Sequence, residues 1–460
     1  MAILHRRGAR LSLDLSFSLL SVLLSILWLT GGASREDVSG QVLSRGAAWI
    51  AIVCVVLFAR RPRIAEARGA TLILAAAILL CLVQLVPLPP SLWRALPGRE
   101  AFIDPLISPP DLWRPWSLVP GATVNALFSL AVPVAVLVLV TSIKEEQKSL
   151  IPVALLAVIA LALLVGLLQF TGAGIVNPFV NGTRGAVDGM IANRNHFALL
   201  LAIGLVIAPV WGVGFGSSSR VRAPITLGLV PLLVLTILAT GSRAGIALGV
   251  IALVLGFVLA RRGVKTALRR YPRWTLPAIG IGIVVLIAVF VLASVAADRA
   301  VSLNRLTELD PSDDIRRRGL PTVLAIIRAY FPFGTGMGSF DPIFRMHEPF
   351  ALLNPTYFNH AHNDFLEVVF TAGLPGLMLL AAAIGWWVWR SVVAWRGAAP
   401  IPKLGSAILL LILLASIVDY PARTPIVMAI ATIAAIWLGE AGEGSLAAGK
   451  VPLPSAGRKL

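Results

Sequence analysis

The sequence predicts an all-α, polytopic membrane protein of about twelve transmembrane helices, and three observations predict it. Of its 460 residues 58% are hydrophobic and 13% charged, with a mean hydropathy of +0.88, whereas a soluble domain carries about a quarter charged residues. Apolar runs of the roughly 20 residues that a helix needs to cross a hydrocarbon core recur from near Leu13 to Leu438. Lys and Arg outnumber Asp and Glu by 39 to 22, and the excess collects in short segments between alternate runs.

The twelve spans centre on residues 15–32, 42–59, 69–88, 122–142, 150–170, 196–213, 224–240, 244–260, 275–297, 364–389, 405–420 and 424–440. The first does not read as a cleavable signal peptide, because no small-residue cleavage site leads into a soluble domain. Lys and Arg accumulate on cytoplasmic loops. With both termini inside, HRRGAR, RRPRIAEAR, KEEQK, SSSRVR and RRGVKTALRRYPR all fall on the cytoplasmic side, and so does the whole net charge of +17. The basic balance therefore reports topology and attraction to anionic lipid headgroups, and no nucleic-acid partner is expected. Cys54 and Cys81 both lie within apolar spans and read as small packing residues.

These spans divide the chain. Residues 1–149 hold spans one to four, 150–297 hold spans five to nine, 298–363 form a large partly helical periplasmic loop, 364–440 hold the last three spans, and 441–460 form a Gly- and Pro-rich, disordered cytoplasmic tail. On the outer side, residues 89–121 carry PPSLW and PPDLWRPW, a composition suited to the interface; a lid or scaffold is expected there. In the large loop, DPSDD supplies helix-capping residues. Leu320, Val323, Leu324, Ile326 and Ile327 then recur at helical spacing, as in a helix resting on a membrane surface. Gly334, Gly336 and Gly338 in FPFGTGMGSF form either a tight turn or, less simply, a phosphate cradle; no βαβ context exists for a dinucleotide fingerprint.

The chemistry concentrates in NHAHNDFLEVVFTAGLPG, residues 359–376. His362 and Asn363 stand at the start of the tenth span. The partial positive charge of a helix N-terminus disfavours imidazolium, and a neutral imidazole is what a general base requires. The alternation of His360, His362 and Asp364 also resembles a zinc ligand set. A mononuclear site needs further ligands, and His347, Glu348 and Asp341 are scattered, so no metal is assigned. The blandest alternative is that these groups only cap a helix.

Arg194, in ANRNHF before the sixth span, and Arg243, in TGSRAG between the seventh and eighth, fall on the same outer side. A charge within hydrocarbon costs about 2.5–3.5 kcal/mol at mid-membrane, so these arginines need partners or water. A guanidinium fork matches phosphate oxygens. Two arginines and a neutral base on one face suit an anionic lipid headgroup such as a diphosphate; the alternative for Arg243 is a structural bond to helix-end carbonyls.

Together these residues resemble a known family. His362, Asn363, nine residues, Gly373, two residues and Gly376 reproduce the H-N-x9-G-x2-G pattern of the O-antigen ligase family, and TGSRAG, NRNHFA and GTGMGSF extend the resemblance over roughly residues 150–438. It implies a twelve-helix inner-membrane glycosyltransferase, without cofactor or catalytic metal. Such an enzyme moves a glycan from an undecaprenyl diphosphate carrier to an acceptor hydroxyl on the periplasmic face, most directly O-antigen onto lipid A-core in lipopolysaccharide biosynthesis. His362 then resembles the proposed base, and Arg194 and Arg243 the arginines that hold the diphosphate. Arg316, Arg317 and Arg318, with Asn363 and His360, are the expected substrate-binding residues. A polysaccharide polymerase and a protein O-oligosaccharyltransferase share donor and base and stay open, as do a secondary transporter and a non-catalytic scaffold.

Overall fold

The computed structural model describes residues 13–103, 111–214, 219–269, 311–353 and 358–441, with scattered positions between 272 and 289. It is helical nearly throughout. In chain order the elements are α1 (Leu15–Thr30), α2 (Ser39–Phe58), α3 (Arg68–Gln84), β1 (Pro87–Leu88), α4 (Pro90–Arg94), β2 (Arg114–Pro115), α5 (Pro120–Ser129), α6 (Ala131–Ser142), α7 (Glu145–Lys148), α8 (Ile151–Phe170), α9 (Arg194–Gly214), α10 (Ser219–Ala239) and α11 (Arg243–Leu268). After the large loop's first part come α12 (Pro311–Tyr330), α13 (Phe340–His347), α14 (Asp364–Arg396), α15 (Pro400–Val418) and α16 (Pro425–Gly439).

Nine helices among the described residues are long and apolar enough to cross a membrane, and α1 and α16 are shorter apolar helices. Together they answer to eleven of the twelve expected spans; the ninth, 275–297, lies mostly outside the described residues. The chain is thus an all-α, multi-pass membrane protein. Proline stands at the first or second position of α5, α8, α15 and α16, where its missing N–H costs nothing.

Helices that are apolar on every side give no sequence cue to which one is central. In the fold, α9 takes that place, 83% of its span being buried against 11% for the span ending in α3. It packs against α8, α10, α11 and α15. Gly256 of α11 lies so near the Leu205 carbonyl that a Cβ would collide with it, the close approach that small residues allow between membrane helices. The N-terminal end of this central helix carries Arg194, half-buried, and His196, fully buried.

The large loop is built on its own aromatic core. Val323, Ile326 and Tyr330 of α12 are buried with Phe340 and Phe344 of α13, Phe358 and Phe370, and the Phe340 and Phe344 rings stack at 5.5 Å. The apolar stripe expected to rest on a membrane is therefore divided. Its Val323 and Ile326 face this core, while Leu320 and Leu324 stay exposed.

The three glycines after α12 form a tight turn, all at positive φ. Most of its backbone N–H groups are already used. Thr335 N and Gly336 N donate to the Phe370 and Thr371 carbonyls at 3.2 and 2.8 Å, and Met337 N donates to Gln84 Oε1 at 2.8 Å. These bonds place the turn against a kink in α14 at Gly373, where φ is 56° and ψ −139°. Leu374 N donates to the Pro332 carbonyl at 2.7 Å, and a Cβ on Gly373 would overlap that same carbonyl. The first glycine of the H-N-x9-G-x2-G pattern thus seats the loop on the bundle. Gly373→Ala, combining positive φ with a collision, is expected to destabilise the protein by a few kcal/mol, read as a lower unfolding temperature in detergent; an unchanged transition would contradict this packing.

The Trp- and Pro-rich segment acts as a scaffold for the same turn. Arg99 is fully buried and donates through Nη2 to the Trp116 carbonyl at 2.7 Å. Trp116 in turn donates Nε1 to the Phe333 carbonyl at 3.1 Å.

Candidate active site

Asn363 caps α14, its side-chain oxygen accepting from Leu366 N at 3.0 Å. Its Nδ2 donates to the Ile417 carbonyl at 2.8 Å, so the start of α14 is pinned to the end of α15. His362, one step earlier, has φ +49°, and with Met190 is one of two non-glycine residues at positive φ among the described residues. Such a conformation costs about 1–3 kcal/mol and persists only where neighbours over-determine it.

What holds it is Asp419, the residue that directly follows α15. His362 Nδ1 lies 3.2 Å from Asp419 Oδ1. Asp419 Oδ2 accepts from Asn193 Nδ2 at 3.0 Å and Asn195 Nδ2 at 2.7 Å, and Tyr420 N donates to Oδ1 at 3.0 Å. Burial alone would raise this carboxyl, but the hydrogen bond from His362 and the charge of Arg316, joined by His196 and His362 whenever those rings are protonated, hold it well below the usual carboxylate range. Asp419 is thus an ionised acceptor, which assigns the proton of His362 to Nδ1 and leaves Nε2 a lone pair. Burial, partly opposed by Asp419, puts the His362 imidazole below its ordinary value of 6.5. It is neutral at pH 7.

The network reaches both arginine elements. Ser242 Oγ donates to Asn195 Oδ1 at 2.7 Å, while also capping α11 by accepting from Gly245 N at 2.8 Å. Asn193 and Asn195 flank Arg194, and Ser242 precedes Arg243. Backbone positions from α9 and α11 are therefore registered to Asp419 through two side-chain bonds. Arg194 is half-buried and Arg243 exposed.

Of the three loop arginines the fold brings Arg316 inward, where its charge acts on His362 and Asp419. Arg317 and Arg318 are exposed, and Arg318 Nη2 donates to the Ala351 carbonyl at 2.6 Å. Successive helix positions do not share a face, so a run of three cannot all serve one site.

His360 turns elsewhere. Its Nδ1 lies 2.9 Å from Glu367 Oε1 and its Nε2 3.0 Å from Ser34 Oγ. Glu367 also accepts from Ala361 N at 2.9 Å. Arg423 Nε stands 3.2 Å from both Glu367 Oε1 and Asp364 Oδ1. The two histidines thus serve different carboxylates, and both lie near Tyr420, whose ring centroid is 4.3 Å from that of His360 and 4.9 Å from that of His362. The sequence reading passed over Asp419, Asn193, Asn195, Tyr420 and Arg423. It ran the eleventh span to residue 420, whereas α15 ends at Val418 and residues 421–423 form a separate turn. A lone acid at the end of an apolar run was the available signal.

One comparison bears on this constellation. Residues 227–381 match the O-antigen ligase family. The matched stretch takes in Arg243, Arg316, His360, His362, Asn363, Gly373 and Gly376, while Arg194 and Asp419 lie outside it. A search of the curated proteins finds no match. A segment similar to the O-antigen ligase family, in a multi-pass membrane protein, supports a glycosyltransferase-type function in polysaccharide or lipopolysaccharide assembly.

Proposed function

We propose that this protein is a bacterial inner-membrane glycosyltransferase that transfers a glycan from an undecaprenyl diphosphate carrier to an acceptor hydroxyl on the periplasmic face, with O-antigen ligation to lipid A-core the leading reaction. The observation that carries this reading is the contact of His362 Nδ1 with the buried Asp419 carboxyl, which is itself tied to the arginine-bearing starts of α9 and α11.

In the reaction, His362 Nε2 takes the proton of the acceptor hydroxyl as that oxygen attacks the anomeric carbon. The bond from that carbon to the diphosphate oxygen breaks, and the carrier leaves with the electron pair. Arg194, Arg243 and Arg316 supply positive charge where negative charge develops. Asp419 stabilises the imidazolium as it forms, the role of an acid behind a catalytic histidine. Direct displacement inverts the anomeric centre.

The test is transfer by purified protein in detergent, with an undecaprenyl diphosphate oligosaccharide and lipid A-core, a second glycan or a Ser-containing peptide as acceptor. Product on lipid A-core supports the ligase, a lengthened glycan the polymerase, and glycopeptide the protein glycosyltransferase; an untouched donor under all conditions sinks the proposal. The base must lose its proton to act, so the rate is expected to rise with pH along an acid limb that lies below that of an ordinary imidazole. A rise centred above pH 7 would contradict a neutral resting His362.

A further inference from the structure

A cavity of 680 Å³ opens beside His360 and is lined by neither His362 nor Tyr420. His360, Glu367 and Arg423 line its polar end, with Arg45 and Asn125 beside them. Its depth is apolar, made by Ile73, Ala77 and Leu80 on one face of α3 and by Leu379, Leu380 and Ala383 on one face of α14. His362, Asp419, Arg194 and Arg243 do not line it.

Most charges around the polar end are matched to one another. Arg35 pairs with Asp37, and Arg423 pairs with Asp364 and Glu367. Arg45 is different. It lies within the membrane-crossing α2, and its hydrogen bonds go to neutral amides, Nη1 to Asn125 Oδ1 at 2.6 Å and Nη2 to Gln41 Oε1 at 3.2 Å. Its Nε is buried with no hydrogen-bond partner. Glu36, an exposed acid that also lines the cavity, acts on it through charge.

A guanidinium in a spanning helix is costly unless its charge is met, and this one keeps donors in reserve. Gln41 cannot turn away from it, since Gln41 Nε2 is committed to the Ala33 carbonyl at 2.5 Å. Asn125, having spent its oxygen on Arg45, keeps its amide N–H groups as further donors. A planar fork beside neutral donors, continuous with an apolar slot between two helices, is the pattern that takes an anionic headgroup with its hydrocarbon chain attached.

We propose that this cavity is a second lipid site, separate from the His362 face, which binds a phosphate-bearing lipid with the phosphate on Arg45 and Asn125 and the chain between α3 and α14. The proposal rests on the glycosyltransferase reading only for which lipid arrives. A carrier lipid, a phosphorylated glycolipid and an ordinary anionic phospholipid share this chemistry.

The test is lipid retention by the purified full-length protein, measured by native mass spectrometry with four probes added singly: undecaprenyl phosphate, lipid A, phosphatidylglycerol and zwitterionic phosphatidylcholine. At least one phosphate-bearing anionic probe is expected to bind more tightly than phosphatidylcholine. Arg45→Ala should weaken it about tenfold or more, the loss of a charged hydrogen bond, and Arg45→Lys should weaken it less. Ala77→Trp, which fills the apolar slot and leaves Arg45 intact, should weaken the same probe and covers the case in which Arg45→Ala fails to fold. Selective retention of undecaprenyl phosphate assigns the site to the carrier, of lipid A to the acceptor, and of phosphatidylglycerol to a resident bilayer lipid; each supports the proposal. Equal binding of all four probes, or wild-type binding by both Arg45→Ala and Ala77→Trp, overturns it. Arg45-dependent binding alongside failed glycan transfer would sink the transferase reading alone.

Discussion

Replacing His362 by Ala is expected to lower glycan transfer by about 10²–10⁴-fold, the usual contribution of a positioned general base, with the fold retained. Asp419→Asn should cost nearly as much. The amide keeps the shape but cannot offset the imidazolium, and its NH₂ competes with His362 Nδ1, Asn193 and Asn195 for the same positions. The two residues work as one unit, so the double variant should be hardly slower than either single one. Initial rates of the four forms, taken on folded protein, check this directly. Additive losses, or a His362→Ala variant within tenfold of wild type, would remove His362 from the chemistry. A second readout separates positioning from mere support. Asp419 raises the His362 imidazole against the effect of burial, so its neutralisation should move the acid limb of the pH–rate profile to lower pH.

Arg423→Ala is expected to be the most destabilising single change near the site. It strips the shared cation from two buried carboxylates, Asp364 at 7% exposure and Glu367 at 1%. Breaking a buried pair in this way costs about 3–5 kcal/mol, because the remaining charge is left uncompensated. The consequence reaches further than stability. Glu367 also holds His360 and the Ala361 N–H, and Asp364 takes Ser416 Oγ at 2.9 Å and Ala422 N at 3.2 Å. Loosening both carboxylates releases the turn that presents His362. Unfolding in detergent should shift strongly for Arg423→Ala and much less once Glu367→Gln is added to it. If the double variant is no more stable than the single one, uncompensated charge is not the cause.

The lipid-facing architecture was legible because hydrocarbon imposes a simple rule: a crossing helix needs an apolar run of sufficient length. Eleven expected spans correspond to apolar helices in the described residues, although span boundaries such as 405–420 overran the helix end. His362 and Asn363 were legible for a related reason. Polar residues directly before an apolar run mark a helix start, and a histidine there tends to be neutral. The glycine turn was readable as a turn, because three glycines in five residues supply the positive φ that other residues avoid.

The sequence by itself therefore determined the membrane class, the set of apolar crossings and the candidate base. Only the tertiary structure decided what that base leans on. Asp419 is 57 residues from His362 and belongs to another helix end, and no local spacing rule connects them. Tertiary packing also chose Arg316 from a run of three arginines and parted two histidines separated by a single residue. Periodicity describes the faces of one helix. Which faces meet depends on how apolar helices of nearly uniform hydrophobicity pack, which is set by shape and small-residue contacts that a linear pattern does not record.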